Sequence, residues 1–226
     1  MSDPITVLLA EDHTVVREGL RSLLEAGGDI RVVGEASTGR QAVNMALHLH
    51  PDVIVMDIAM PILNGMEATR QIRKSIPDAR VIVLSAHNDQ AYIDQMMTLG
   101  VVGYLLKETS AHNLSRAVRE VHQGRSYFSP SLSGRIYPRG KAPSVGEIAA
   151  RSKRTTLSSR EVEVVQLIAE GHANKQIASE LGLSVKTIEK HRQRVMEKLD
   201  IHDTAGLTRY AIAAGIIEST VLLTIE

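Results

Sequence analysis

The first 125 residues alternate two hydrophobic patterns, and this alternation constrains the fold more than any other feature of the chain. Five short apolar runs occur at Ile5–Ala10, Arg31–Ala36, Val53–Asp57, Val81–Ala86 and Val101–Leu106. Several are apolar almost throughout, as strands buried on both faces of a parallel sheet are. Between them apolar residues recur at helical spacing: Val16, Leu20, Leu23 and Leu24, then Ala42, Val43, Ala46 and Leu47, with further stripes over Met66–Ile72, Tyr92–Met97 and Leu114–Val121. Strands alternating with helices join through right-handed crossovers. The expected fold is α/β, a doubly wound five-stranded parallel sheet.

That pattern stops well short of the C-terminus of a 226-residue chain. Residues 129–154 carry Pro130, Pro138 and Pro143 beside Gly134, Gly140 and Gly146, a composition that reads as a linker, with a short helix over Val145–Arg151. From residue 155 onward the pattern is purely helical. Charge divides the same way: residues 1–128 hold 12 Lys+Arg against 15 Asp+Glu, a net of −3, and residues 129–226 hold 14 against 11, a net of +3. The expected organisation is a domain over 1–128, a linker over 129–154 and a second domain over 155–226. Lacking cysteine, the chain has no disulfide framework, thiolate metal site or cysteine nucleophile. No apolar run reaches the ~18 residues of a membrane helix, and the first residues lack the basic start of a signal peptide. A cytoplasmic location is expected, with no membrane partner.

In a doubly wound sheet, ligands bind beyond the carboxyl ends of the strands. Glu11 and Asp12 end the first run, Asp57 the third, Ser85 the fourth, and Lys107 follows the fifth. Any one of these acids could be a solvated loop residue or a helix cap. Together they describe a pocket of three carboxylates and a lysine, which would repel without a cation. Mg²⁺ suits such donors, and a metal and a lysine together could neutralise an incoming phosphoryl group while one carboxylate acts as nucleophile. Asp57 is the central carboxylate, followed by a loop, Met60-Pro61 to Asn64-Gly65, that must turn sharply.

Over residues 4–125 the chain resembles the receiver domain of two-component response regulators, a flavodoxin-like fold. The residues that carry the resemblance are LLAEDH at 8–13, VIVMDIAMPILNG at 53–65, LSA at 84–86 and GYLLK at 103–107. The resemblance implies that Asp57 accepts phosphate from a histidine kinase. It further implies that Glu11, Asp12, Asp57 and the Ala59 carbonyl bind Mg²⁺, and that Ser85 and Lys107 contact the phosphoryl oxygens. Tyr104 matches an aromatic switch that moves inward with Ser85; the plainer reading is an edge-strand aromatic. Glu108 stands where many receivers have proline after the lysine.

The C-terminal segment reads as four helices. Ser158 or Ser159 caps the first, which Gly171 ends; Asn174–Leu181 forms the second. After the tight turn at Gly182-Leu183, Ser184 caps Val185–Leu199, and Thr204–Ala214 is the last. Helix, short turn, helix is the helix-turn-helix pattern, whose second helix enters a major groove. With Val185, Ile188, Val195 and Leu199 facing inward, Lys186, Thr187, Lys190, His191 and Arg194 are left for DNA. A solvated basic face is the plainer alternative. Residues 157–199 resemble the LuxR-type helix-turn-helix of the NarL/FixJ response regulators. The resemblance makes Glu161 a buried brace, places Lys175 against DNA phosphate, and gives the last helix, with Leu207, Tyr210, Ala211 and Ala214, a role in DNA-bound dimerisation; packing within the domain is the other reading.

The function these residues imply is a transcriptional response regulator, phosphorylated on Asp57 with Mg²⁺ by a sensor histidine kinase. It would bind double-stranded promoter DNA as a homodimer on activation and take no small-molecule substrate. An aspartyl-phosphate phosphatase of related fold would need a second aspartate where Ala59 stands, so an enzyme is not expected. A receiver that dimerises without signalling is the third reading.

Overall fold

The computed structural model describes residues 3–86, 90–130, 132 and 157–218, and these belong to two compact units that divide between residues 153 and 154. In the first unit the strands are β1 (Ile5–Ala10), β2 (Ile30–Ala36), β3 (Val53–Asp57), β4 (Val81–Ser85), β5 (Gly103–Leu106) and a short β6 (Tyr127–Phe128). All pair in parallel, in the order β2-β1-β3-β4-β5-β6. The helices between them are α1 (Thr14–Glu25), α2 (Gly39–Leu49), α3 (Gly65–Ser75), α4 (Gln90–Thr98) and α5 (Lys107–His122).

Side-chain alternation along the strands sorts the core into two layers. On one face Val7, Leu9, Val55, Ile82, Leu84 and Leu105 pack with Leu20 and Leu24 of α1 and Leu114, Ala117, Val118 and Val121 of α5. On the other, Leu8, Ile54, Met56, Val83 and Tyr104 pack with Ala42 and Ala46 of α2, Ala68 and Ile72 of α3, and Ile93 and Met96 of α4. The α1 stripe is only half interior: Val16 and Leu23, read as part of it, stand exposed, and Val15 is exposed as well.

Two features depart from the five-stranded expectation. Tyr127-Phe128 adds a sixth strand beside β5, with Gly103 opposite Tyr127 and Tyr104 opposite Phe128. Ser129 and Leu132, at the start of the segment read as linker, are buried, Leu132 in the same apolar layer as Tyr104. The short helix expected over 145–151 lies outside the described residues.

The second unit holds α6 (Ser159–Ala169), α7 (Asn174–Leu181), α8 (Val185–Leu199) and α9 (Thr204–Ala213). Its ends follow from local chemistry. The Ser158 hydroxyl accepts from the Glu161 N–H while Glu161 Oε2 accepts from the Ser158 N–H at 2.8 Å, a reciprocal capping box. Gly182 ends α7 in the left-handed region at φ +62. Ser184 caps α8 by accepting from the Thr187 N–H, and Asp203 caps α9 by accepting from the Gly206 N–H. Helix α8 packs on α6 and α7, and α9 on α6. Val185, expected inward, is exposed, whereas Ile188 and Val195 are fully buried.

Candidate functional site

The chain leaves β1 for β2 on one side and returns with β3 on the other, so the crevice beyond β1 and β3 is the topological switch point of the sheet. The backbone stays in register one residue past β1, where the Glu11 N–H donates to the Ala36 carbonyl at 3.0 Å. Arg17 holds the turn that follows: its Nη1 donates to the Glu11 carbonyl at 2.8 Å and its Nε to Glu35 Oε2 at 3.3 Å. Glu11 and Asp57 are thereby brought together with 0% and 1% of their surface exposed. The Lys107 ammonium lies between them, 2.9 Å from Asp57 Oδ2 and 3.1 Å from Glu11 Oε2.

These contacts do not balance the charge. Burial, with the Glu11 carboxylate beside it, pushes Asp57 up to about 7 against the pull of Lys107. Burial also works to lower the Lys107 pKa, but Asp57 and Glu11 outweigh it and hold the ammonium above its ordinary range. Glu11 Oε2, Asp12 Oδ1 and Asp57 Oδ2 are oxygens closed off from solvent. Lys107 faces the first and third as an ion pair, and His13 Nδ1 faces the second at 2.8 Å. Glu11, Asp12 and His13 offer donor atoms within 4.8 Å of one another. Three carboxylates against one ammonium, with hard oxygens gathered at one place and closed off from solvent, fit a divalent cation such as Mg²⁺. His13 is the member of this cluster that the sequence does not single out; its position directly after the two acids was the available signal. The charge of Asp12 and a hydrogen bond to Glu11 raise its pKa above 6.5.

The loop after β3 is folded tightly over the pocket. The Ile58 carbonyl accepts from both the Met60 N–H at 3.1 Å and the Gly65 N–H at 2.8 Å, which places Ala59 at a bend, its N–H turned to the Asp57 carboxylate. The Leu63 N–H donates to the Pro61 carbonyl at 2.8 Å across Ile62, whose φ of +71 is costly for a β-branched residue. Asn64 caps α3 by accepting from the Glu67 N–H. Gly65 is required here: a Cβ would come within 1.9 Å of the Asp57 carbonyl oxygen.

Ser85 ends β4 level with Leu106, and both are buried. Tyr104 is fully buried between Val83 and Phe128 in the sheet. Because β6 covers β5, the edge-strand reading of Tyr104 fails. The Lys107–Glu108 bond is trans, like every described peptide bond.

In the second unit Glu161 is buried, and its Oε2 accepts from Lys198 Nζ at 2.7 Å and from the Ser158 hydroxyl at 3.0 Å. Burial would raise its pKa, but Lys198 and Ser158 outweigh burial and hold it below the usual range. Lys198 and Arg192 of α8 are thus turned to the domain itself, Arg192 toward Asn174 and Thr204. Ser184, Lys186, Thr187, Lys190, His191 and Arg194 line one open depression along α8. Lys175 is exposed on the first turn of α7. Leu207 and Ala211 are fully buried, so these two are not available to a second copy; Tyr210 is half-buried and Ala214 exposed. Intradomain packing is the outcome for the first pair, and the outer side of α9 presents Arg209, Ile212 and Ala213 instead.

Residues 7–119 match the family described as the response regulator receiver domain, and residues 155–211 match the bacterial regulatory proteins of the luxR family. The chain is a response regulator of the NarL/FixJ type. Response regulators with this pair of domains are transcriptional regulators rather than turnover enzymes. The chain is similar to the transcriptional regulatory protein LiaR of Bacillus subtilis, 37% identical over 92% of this chain and 96% of that one. It is 35% identical to the response regulator protein VraR of Staphylococcus aureus, over 95% and 99%. Among solved structures, the RcsB response regulator of Salmonella typhimurium covers 94% of this chain and 98% of its own at 27% identity and a TM-score of 0.59. A structure of an RcsB–DNA complex covers 92% and 98% at 27% identity, with a TM-score of 0.52.

Proposed function

We propose that this response regulator is switched by phosphorylation of Asp57 and acts on promoter DNA through α8. The observation that carries the reading is the buried pair of Asp57 and Glu11 sharing the Lys107 ammonium, with Asp12 beside Glu11 as a third carboxylate. An Asp57 oxygen attacks the phosphorus of a phosphohistidine on a sensor kinase; the P–N bond breaks and the histidine recovers a proton. Glu11, Asp12, Asp57 and the Ala59 carbonyl would hold Mg²⁺, which when bound neutralises charge on the phosphoryl oxygens. Lys107 supplies a cation to those oxygens, and Ser85 a hydroxyl at the end of the neighbouring strand. Tyr104 would follow Ser85 as the switch.

The DNA face is Lys186, Thr187, Lys190, His191 and Arg194, with Lys175 on phosphate. RcsB is solved with DNA, and in one structure as two dimers on two parallel DNAs. A homodimer on activation is the corresponding assembly here, with Tyr210 and Ala214 joined by Ile212 in place of Leu207 and Ala211. The cytoplasm is the compartment for such a regulator; among the described residues no helix is long and apolar enough to cross a membrane.

Intact mass after incubation with Mg²⁺ and acetyl phosphate tests the pocket. Wild type should gain one phosphoryl group and Asp57→Asn none; equal gain in both would displace Asp57 from the role. Fluorescence anisotropy with labelled duplex DNA tests the face. Lys190→Ala should weaken binding about tenfold, the loss of one charge-assisted phosphate contact, and unchanged affinity would move the interface elsewhere.

A further inference from the structure

We propose that Ser129 is a positioning residue that ties the start of the interdomain segment to the lysine of the phosphoacceptor pocket. Ser129 lies beyond residues 7–119, the stretch matched to the receiver family, yet it is fully buried. Its N–H donates to the Tyr104 carbonyl at 2.9 Å, and its Oγ accepts from the Leu106 N–H at 3.0 Å. One residue therefore binds two peptide groups of β5, on either side of Leu105.

The position of those groups gives the contact its meaning. The ladder from β5 to β6 runs to Tyr104 and Phe128, two residues short of Leu106, and a buried N–H requires an acceptor. The Ser129 hydroxyl accepts from the Leu106 N–H at 3.0 Å. Leu106 is also the N-cap residue of α5, and Lys107, whose ammonium sits 2.9 Å from Asp57 Oδ2, is the first residue of the helix. Ser129 thus holds the Leu105–Leu106 peptide group, which enters the N-cap residue directly before Lys107. Its other bond holds Tyr104, and Phe128 and Leu132 on either side of Ser129 pack into the apolar layer that contains the Tyr104 ring.

A displacement of Tyr104 within its layer reaches Ser129 through the bond to the Tyr104 carbonyl, and a displacement of Lys107 toward a phosphoryl group reaches it through the neighbouring Leu106 N–H. Ser129 precedes, in sequence, the segment that joins the two units, so the pocket acts on the start of that segment through β5 and β6. This rests on the reading of Asp57 as the phosphoacceptor.

Hydrogen exchange read by mass spectrometry on the full-length chain, with and without Mg²⁺ and beryllofluoride, separates the two claims. In wild type, peptides containing Asp57, Leu106 and Ser129 should all change protection, by about tenfold at the Leu106 amide. In Ser129→Ala the Asp57 peptide should still respond while the response around Ser129 is lost, and Ser129→Thr should restore it. A response at Asp57 without one at Ser129 in wild type overturns the coupling and leaves the phosphoacceptor reading intact. A full response in Ser129→Ala also overturns it, because the hydroxyl then carries nothing. No response at any of the three peptides in wild type removes the phosphoacceptor reading and the coupling with it. The wild-type comparison stands by itself should Ser129→Ala fail to fold.

Discussion

Asp57 is a carboxyl group that the fold holds against its preference for water. Its pKa of about 7 lies above the ordinary 3.8, so between pH 4 and pH 7 the folded chain keeps a proton that the unfolded chain has released. Stability then falls as pH rises through that window. The difference between 3.8 and about 7 sets an upper bound of about 4 kcal/mol. Asp57→Asn removes the penalty. In metal-free buffer the variant should be close to wild type at pH 4.5 and more stable than it by a few kcal/mol at pH 8, as read from urea midpoints. A stability difference that stays constant across pH would count against the buried, protonated carboxyl. Glu161 is the opposite case, a buried acid whose partners more than compensate it. Glu161→Ala removes the Lys198 ion pair and both bonds to Ser158, and should cost about 1–3 kcal/mol, while Glu161→Gln should cost less because it retains a capping acceptor. Denaturation followed by circular dichroism measures both.

Elements in this chain are shaped as much by what they exclude as by what they bury. Gly65→Ala would drive a Cβ into the Asp57 carbonyl, so the loop carrying Ala59 must move. Gly19, inside α1, has open space around its position. Gly65→Ala should therefore destabilise by about 2 kcal/mol or more and abolish phosphoryl uptake. Gly19→Ala should stabilise by about 0.5–1 kcal/mol and leave uptake unchanged. The same contrast marks what the sequence made legible. Helices α7 and α8 match their expected spans because Gln176, whose Oε1 accepts from the Ala173 N–H, Gly182 and Ser184 punctuate them chemically. The acids and the lysine at the strand ends were readable because a parallel sheet gathers those ends at one place. Strand β6 was not, since two residues make no periodicity and its partner is set only in three dimensions. Nor does an apolar stripe reveal its own width: Val16, Leu23 and Val185 match the helical spacing but lie where nothing among the described residues covers them fully. Leu207 and Ala211 carry the same ambiguity, because a dimer face and a core face look alike as letters. Lys198 is a further case, a cation in a basic run that is turned to a buried acid 37 residues earlier.

For the molecule as a whole, neutrality conceals two charge populations that answer to different partners. Each copy presents Lys175, Lys186, Lys190 and Arg194 as exposed cations on the DNA-binding unit. At about 0.9 released counterions per phosphate, one copy gives a slope of log K against log salt of about −3.5, and two copies about −7. Anisotropy titrations across salt, with and without beryllofluoride, therefore report assembly on DNA: the slope should double on activation, and an identical slope in both states would exclude activation by dimerisation. The strand order has a consequence for biosynthesis. After β1 and β2, β3 docks on the free edge of β1, and β4, β5 and β6 then each dock on the strand before them. A nascent chain can add these strands in the order in which the ribosome delivers them, with no earlier strand displaced. The sheet is closed only when Tyr127–Ser129 has emerged. A receiver cut at residue 122, where α5 ends, would leave the backbone of β5 bare along the edge that carries Tyr104 and leads into Lys107, and such an edge is a template for association with other chains.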